Sequence, residues 1–487
     1  MSEVRVRFAP SPTGPPHVGT VHTGLFNWLF AHHTGGKFIL RIEDTDRERE
    51  VPGATEQLYK ALSWLGCNWD EGPEVGGACG PYIQSERLSF YQNAAQELLD
   101  KGVAYKCWCS KERLDQIREK QRAAGLPTGY DRHCIKISDE ERAKLVAEKE
   151  PFVIRLKVKR EGKTGWNDIV RGWTEFENKL IDDQVLLKAD GWPTYHLANV
   201  VDDHMMTISH VIRGEDWISS TPKHIMLYEG FGWDPPQFAH LSLLLGPDRS
   251  KLSKRHGTTN FMDFVAMGYL PHTIFNFLSI LGWSPGNDQE LLTVEETIEK
   301  FTLEGCLKSG AVFDHEKLNW MNGYYIRHMS VEDLTNYCLP YLQEAGLLPV
   351  EITPEQKLYA EQVIALEQER MKLLSEAPTV TEFFFKEEPE VDAKAWDKWM
   401  GKDYVLAILL REVELFSAIK NWNHDEIEAV IRKVAEEKEL GAGNIIHPTR
   451  VALTGRTIGP GLFETIVVLG KDRVLKRLEK TLEKVKS

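Results

Sequence analysis

A run of helix and strand breakers set between two apolar segments constrains this chain most. Val4-Arg5-Val6-Arg7-Phe8 has strand character and runs into Pro10-Ser11-Pro12-Thr13-Gly14-Pro15-Pro16, which neither a helix interior nor a central strand can hold. Beyond the prolines, apolar residues including Leu25, Trp28 and Leu29 recur at helical spacing as far as Gly35-Gly36, a helix stop. Lys37-Phe38-Ile39-Leu40-Arg41-Ile42 reads as the next strand. Strand, helix and strand in succession predict a βαβ unit, hence parallel strands joined by a right-handed crossover. In open sheets of this kind, ligands sit outside the carboxyl ends of the strands. Pro10 to Gly19 lies at one such end and Glu43-Asp44-Thr45-Asp46 at the next, so both belong to one crevice.

The rhythm breaks after residue 104. Residues 105–190 hold a cysteine cluster, a charged helix-like run from Lys111 to Arg122 and a strand-like stretch from Phe152 to Val158, which together read as an inserted domain. Strand and helix signals resume at Ile208 to Ile212, followed by a helix with Pro222 in its first turn. From about Phe261 onward helical periodicity dominates, with long candidates at Glu355 to Ser375, Asp403 to Asn421 and Asp425 to Glu439. A chain of 487 residues has room for several cores, in keeping with these breaks.

Charge and cysteine content narrow the classes further. With 59 basic and 73 acidic residues the net charge is −14, the wrong sign for a general nucleic-acid coat, so a polyanionic partner needs a local basic face. Seven cysteines are too few and too scattered for a disulfide framework and suit a reducing compartment, the cytoplasm. The N-terminus shows no export signal, and no apolar run reaches the roughly 18 residues of a membrane span, so no membrane partner is expected.

Two segments carry recognisable chemistry. The first is the proline loop with His17 and Gly19, because a helix N-terminus presents N–H groups and positive partial charge to a phosphate, and glycine admits close approach. Alone, such a segment is also an ordinary turn before a helix. The second is Lys251-Leu252-Ser253-Lys254-Arg255, between Gly246-Pro247-Asp248 and His256-Gly257. Three cations beside glycines form a loop able to close on a triphosphate, with Lys254 as the key cation; alone, a short basic run is a solvated turn.

Taken together, Ala9-Pro10-Ser11-Pro12-Thr13-Gly14, His17-Val18-Gly19-Thr20, Arg41-Ile42-Glu43-Asp44-Thr45-Asp46-Arg47 and the lysine loop resemble class I aminoacyl-tRNA synthetases of the glutamyl type. The resemblance spans the whole chain. Thr20 stands where the family's signature tetrapeptide ends in histidine, and Leu252 and Arg255 replace the Met and final Ser of its lysine loop. It implies a Rossmann-like α/β catalytic domain (1–104 and 191–240), interrupted by an α+β acceptor-binding insert with a zinc site (105–190). A stem-contact domain (241–327) and an α-helical anticodon-binding domain (328–487) follow. The implied activity is ligation of L-glutamate to tRNA-Glu through glutamyl-adenylate, with ATP and Mg²⁺, by a monomer. No side-chain nucleophile is required, since catalysis is alignment and charge stabilisation.

Residue roles follow from the same resemblance. Arg7 and Arg213 match the arginines that hold the two carboxylates of glutamate, where a guanidinium offers each a bidentate fork. Glu43 matches the acid that receives the α-ammonium, and Ala9, Ser11, Tyr195 and Asn199 match pocket positions. His17, Gly19, Asp216, Leu244 and Lys254 match ATP positions, with His17, Gly19, Lys251 and Lys254 catalytic. Cys107, Cys109, Tyr130 and Cys134 match a zinc set, with His133 as the competing fourth ligand and free thiols as the alternative. Arg370, Arg450 and Arg456 are candidate tRNA contacts, Arg370 matching a position that favours glutamate anticodons, while Lys471 to Lys486 reads as a solvated helix face. The nearest rival is an enzyme that also glutamylates tRNA-Gln. A glutaminyl enzyme fits less well because Arg213 offers a charge to the side-chain carboxylate, and a non-catalytic RNA-binding module would not need His17, Glu43 and Lys254 together.

Overall fold

The computed structural model describes residues 3–486, which form two compact units. One comprises the chain up to Phe264 together with Ile274–Asp314; the other comprises Val265–Thr273 and the chain from His315 onward.

The first unit opens as the breaker pattern requires. Strand β1 (Arg5–Phe8) enters the proline loop, α1 (Val18–Thr34) follows, and β2 (Lys37–Leu40) returns parallel to β1 with Val6 beside Phe38. Helix α1 ends at Gly35, whose φ of 64° is left-handed and suits glycine. Leu25, Phe26 and Leu29 on α1 are buried, each worth about 1.5–3 kcal/mol of transfer free energy. Next come α2 (Ala54–Trp64), α3 (Leu88–Asp100), β3 (Ala104–Cys107), α4 (Lys111–Ala123), α5 (His133–Lys136), α6 (Asp139–Ala147) and β4 (Val153–Leu156). The chain continues through the hairpin of β5 (Lys163–Asp168) and β6 (Gly172–Glu177), then β7 (Val185–Leu187), α7 (Tyr195–Met205), β8 (His210–Gly214), α8 (Thr221–Phe231) and β9 (Gln237–Leu241).

The larger sheet has the order β2-β1-β8-β9-β5-β6, parallel throughout except for the antiparallel edge strand β6. Residues 105–190 are therefore divided between two sheets: β3, β4 and β7 form a small antiparallel sheet, while the β5–β6 hairpin extends the large one. Strand order reverses between β1, whose sequence neighbour is β2, and β8, so the crevice opens at the carboxyl ends of these strands. A short parallel pair, β10 (Leu244–Leu245) with β11 (Ala311–Val312), adjoins the lysine loop in sequence.

The second unit is helical. Its principal helices include His315–His328, Val331–Glu344, Pro354–Glu367, Ala377–Phe385, Val405–Ala418, His424–Glu437, Gly443–Thr454 and Lys471–Lys486. The helix expected from Glu355 to Ser375 stops at Glu367, because Leu373 is extended and the Leu374 amide donates to Gly268 O at 3.0 Å instead of continuing the helical ladder. The face expected to be solvated between Lys471 and Lys486 contains a buried clamp: Arg477 donates to the carbonyls of Leu453, Phe383 and Lys386, and Arg473 to Tyr359 Oη. A planar fork satisfies carbonyls left free at helix ends better than water in a packed core does. Among the described residues no helix is long and apolar enough to cross a membrane.

Candidate active site

The crevice is a cleft of about 1120 Å³ in the first unit. Arg7, Ala9 and Ser11 line it from the end of β1 and the proline loop, Glu43 from the end of β2, and Tyr195 and Asn199 from α7. Arg213 and Asp216 enter from the end of β8, His17 and Gly19 from the start of α1, and Leu244 and Lys251 from the segment after β9. Lys254 is not among the lining residues; it lies in the short turn Lys254–His256, exposed to solvent. Lys251 reaches back to the cleft, its Nζ 2.6 Å from Asp216 Oδ2.

Beneath the cleft floor lies a charge network that spacing alone did not disclose. Arg41 is fully buried; its Nη1 donates to Asp203 Oδ1 at 2.7 Å and its Nη2 to Glu43 Oε1 at 2.9 Å. Arg7 donates from Nε to the same Asp203 Oδ1 at 3.0 Å and from Nη2 to Asn199 Oδ1 at 3.0 Å. These bonds hold the Arg7 guanidinium from one side and leave its Nη1 and one Nη2 proton without a protein acceptor among the described residues. Burial raises the Glu43 carboxyl above its ordinary value, opposed by Arg41 and Arg7. Against the same cost of burial, Arg7 and Arg41 hold the Asp203 carboxyl below its ordinary value. One layer deeper, Asp202 accepts from Arg87 Nε, Gln84 Nε2 and Tyr91 Oη.

Arg213 is held even more completely. Its Nε donates to His240 Nε2 at 3.1 Å, its Nη1 to Tyr195 Oη at 3.1 Å and His224 Nδ1 at 3.2 Å, and its Nη2 to Thr221 Oγ1 at 2.8 Å. Four of the five guanidinium protons are thus engaged, leaving one on Nη2. The full bidentate fork expected at this position is not available in this arrangement. The Tyr195 hydroxyl accepts from Arg213, so its own proton is free to serve as the second donor.

The start of α1 also differs from a bare ring of N–H groups. His17 Nδ1 accepts from Gly19 N at 3.0 Å, Thr20 N donates to His17 O at 2.8 Å, and Val18 N to Thr259 O at 2.8 Å. With Nδ1 used as the helix cap, neutral His17 carries its proton on Nε2. Burial, with Lys251 adding to it, lowers the imidazole below its ordinary value and keeps that neutral form. The donor offered to a phosphate here is the His17 Nε2–H rather than the backbone of the first turn.

The cysteine set converges. The Sγ atoms of Cys107, Cys109 and Cys134 lie within 4.8 Å of one another, and Tyr130 Oη is 3.3 Å from both Cys107 Sγ and Cys109 Sγ. His133 is exposed and is not part of this cluster. Three thiols and a phenol around one point fit the tetrahedral preference of zinc. In the second unit, Arg370 is half-exposed, with Nη1 on Gly459 O at 2.8 Å and Nε 3.1 Å from Glu367. Arg450 is buried, donating to Pro460 O at 2.6 Å, and Arg456 is half-buried against Thr379 O and Glu382. Arg450 thus serves its own helix-end loop, whereas Arg370 keeps a surface on which a ligand can bear.

Sequence reasoning assigns no role to Asp168, His240, Arg41 or Asp203. The available signal was charged or polar residues inside strand or helix segments that are otherwise apolar, Asn167-Asp168 after Trp166 and His240 in Phe238-Ala239-His240-Leu241.

Comparison with known proteins places this geometry. Residues 3–320 match the family described as tRNA synthetases class I (E and Q), catalytic domain, and residues 333–482 match an anticodon binding domain. The chain is similar to a glutamate–tRNA ligase of Dehalococcoides mccartyi, 49% identical over 484 residues that cover 98% of this chain and 97% of that protein. A glutamate–tRNA ligase of Moorella thermoacetica is 44% identical over 480 residues, covering 99% and 98%. Among solved structures, a glutamate tRNA ligase from Elizabethkingia meningosepticum in complex with its amino acid matches with a TM-score of 0.91 at 38% identity, covering 99% of this chain and 100% of that one. With both units matched and relatives similar over nearly their whole length, the chain belongs to the glutamate–tRNA ligase family of class I tRNA synthetases.

Proposed function

We propose that the cleft activates L-glutamate with ATP and passes it to the 3′-terminal adenosine of tRNA-Glu. The observation that carries this reading is the pair of buried guanidiniums, Arg7 and Arg213, lining one cleft with the Glu43 carboxylate and His17. A substrate with two carboxylates and one ammonium matches that set charge for charge. Arg7 offers Nη1 and Nη2 protons to one carboxylate; the remaining Arg213 proton and the Tyr195 hydroxyl hold the other; Glu43 accepts from the ammonium.

One α-carboxylate oxygen attacks the α-phosphorus of ATP, the bond to the β-phosphate bridging oxygen breaks, and pyrophosphate leaves. His17 donates from Nε2 to a phosphate oxygen, the Lys251 ammonium meets the charge on the departing pyrophosphate from the cleft wall, and Lys254 joins it when its exposed loop closes over the triphosphate. Mg²⁺ carried by the triphosphate would supply further neutralisation of its phosphate charge. The 2′-hydroxyl of the terminal adenosine then attacks the mixed-anhydride carbonyl, its proton passes to an oxygen of the leaving phosphate and AMP departs, which needs alignment and no protein nucleophile.

The α+β segment 105–190 is read as the acceptor-end binder, residues 241–327 as the stem contact and the helical half as the anticodon reader. Zinc held by Cys107, Cys109, Cys134 and Tyr130 would brace β3 against α5 without entering the reaction. Arg370 is the anticodon contact and favours tRNA-Glu over tRNA-Gln. The protein works as a monomer, and its seven scattered cysteines suit the reducing cytoplasm. Pyrophosphate exchange measured with glutamate, with and without tRNA-Glu, tests the activation step: exchange that depends on tRNA-Glu is expected, and absence of exchange under both conditions would refute it.

A further inference from the structure

We infer that Asp168 and His240 form a positioning pair that orients Arg213 and thereby sets the preference for glutamate over its amide, glutamine. The inference rests on the reading above that Arg213 holds the side-chain carboxylate. Its basis is a row of side chains across three adjacent strands. Arg213 on β8 pairs in register with His240 on β9, and Asp168 on β5 pairs with Phe238 on β9. Alternation along β9 puts Phe238 and His240 on one face, so Asp168, His240 and Arg213 share it. All three are buried, and the contacts close the row: Asp168 Oδ2 to His240 Nδ1 is 2.5 Å and His240 Nε2 to Arg213 Nε is 3.1 Å.

Donor and acceptor chemistry makes the row directional. A guanidinium can only donate, so His240 Nε2 must be the acceptor and its ring proton must sit on Nδ1. An ionised carboxylate can only accept, so Asp168 selects that same tautomer. Asp168 is itself immobile: Oδ1 accepts from the amides of Val170, Arg171 and His240, and Oδ2 also accepts from Trp166 Nε1 at 3.2 Å. The second imidazole against Arg213 obeys the same rule. His224 Nδ1 accepts from Arg213 Nη1, so its Nε2–H donates to His196 Nδ1 at 3.1 Å. The guanidinium is therefore pinned from two sides by neutral histidines, and its one spare Nη2 proton has a single direction. The acid that begins this row lies on the hairpin within residues 105–190, so that segment supports the selective arginine through His240.

Replacing Asp168 with asparagine reverses the row. Three backbone amides keep the side-chain amide oxygen where Oδ1 was, so the new NH₂ group faces His240 Nδ1 and drives the ring proton to Nε2, head-on against Arg213 Nε–H. Glutamine at 240 preserves both roles, since its oxygen accepts from Arg213 and its NH₂ donates to Asp168; leucine preserves neither.

The test is steady-state aminoacylation of tRNA-Glu by the full chain, with KM for glutamate and for ATP, and inhibition by glutamine, for D168N, H240L, H240Q and R213L. D168N and H240L are expected to lower kcat/KM for glutamate about 10- to 150-fold, the range for losing a hydrogen bond to a charged group, mainly through KM. The glutamate-over-glutamine preference should shrink, KM for ATP should stay within about threefold, and H240Q should recover most of the loss. If R213L leaves KM for glutamate unchanged, the reading of Arg213 fails. If R213L raises it while D168N and H240L do not, that reading survives and the positioning pair is overturned. Parallel loss of glutamate and ATP affinity, or an H240Q variant no better than H240L, also overturns it. Should D168N fail to fold, the H240L and H240Q pair decides by the same criteria.

Discussion

Arg41→Met is the most informative single change in the charge network under the cleft. Arg41 lies fully buried between Asp203 and Glu43, at 2.7 and 2.9 Å. Methionine fills similar space but leaves Glu43 with only the nearby Arg7 charge and Asp203 with only Arg7 as a close partner. Removing one partner of a buried ion pair costs about 3–5 kcal/mol, against a total of about 5–15 kcal/mol for a typical domain. At 1.4 kcal/mol per tenfold, the opening equilibrium of the β1–β2 region should rise by roughly two to four orders of magnitude. The pH dependence gives the sign. Glu43 already titrates above its ordinary value in the folded state, and loss of Arg41 raises it further. The folded variant therefore takes up a proton more readily than the unfolded chain, and its penalty shrinks as pH falls. Hydrogen exchange of the β1 and β2 peptides, expressed as protection factors at pH 8 and pH 5.5, measures both effects. Protection within about fivefold of the parent, or a penalty equal at the two pH values, would refute the reasoning.

Further outcomes follow from the same geometry. His17→Asn keeps a strong helix cap but removes the Nε2–H donor, so thermal unfolding should stay within about 1 kcal/mol of the parent while adenylate formation slows about 10²- to 10³-fold; equal rates would show that His17 only caps α1. Lys254 is exposed, so Lys254→Ala should leave stability within about 0.5 kcal/mol yet slow activation, read by single-turnover adenylate formation. In the helical unit, burial pushes the Glu412 carboxyl up from 4.5 to about 8, with Thr449 as its hydrogen-bond donor. Its contribution is present in full below pH 4.5 and is lost as pH rises toward 8, so Glu412→Gln should flatten that decline in thermal melts. Elemental analysis of protein purified without chelator should find about one zinc per chain, falling sharply in Cys109→Ser.

How far the sequence speaks depends on the range of the interaction that decides each feature. The β1–loop–α1–β2 opening was legible because prolines, Gly35 and helical periodicity act within a few residues. The cleft residues were legible by resemblance, since His17, Glu43 and the arginines sit in short motifs. The split of residues 105–190 between two sheets was not, because β5 joins β9 through a parallel pairing about seventy residues distant, with no local signal. The same distance hid the Asp168–His240–Arg213 row. The early stop at Glu367 was invisible because the periodicity continues past it, while the Leu374 amide finds its acceptor on Gly268. Arg450 and Arg477 looked like RNA-facing or solvated cations, yet each satisfies carbonyls of its own unit, a use of arginine that residue type cannot distinguish from a surface charge.

The measurement that bears most directly on the central claim is aminoacylation by the purified full chain with labelled glutamate and ATP, using tRNA-Glu and tRNA-Gln separately. Labelled glutamate on tRNA-Glu, with AMP and pyrophosphate released and tRNA-Gln left uncharged, is the predicted result. Charging of both tRNAs would keep the chemistry and overturn the role given to Arg370, and failure to charge tRNA-Glu would contradict the account.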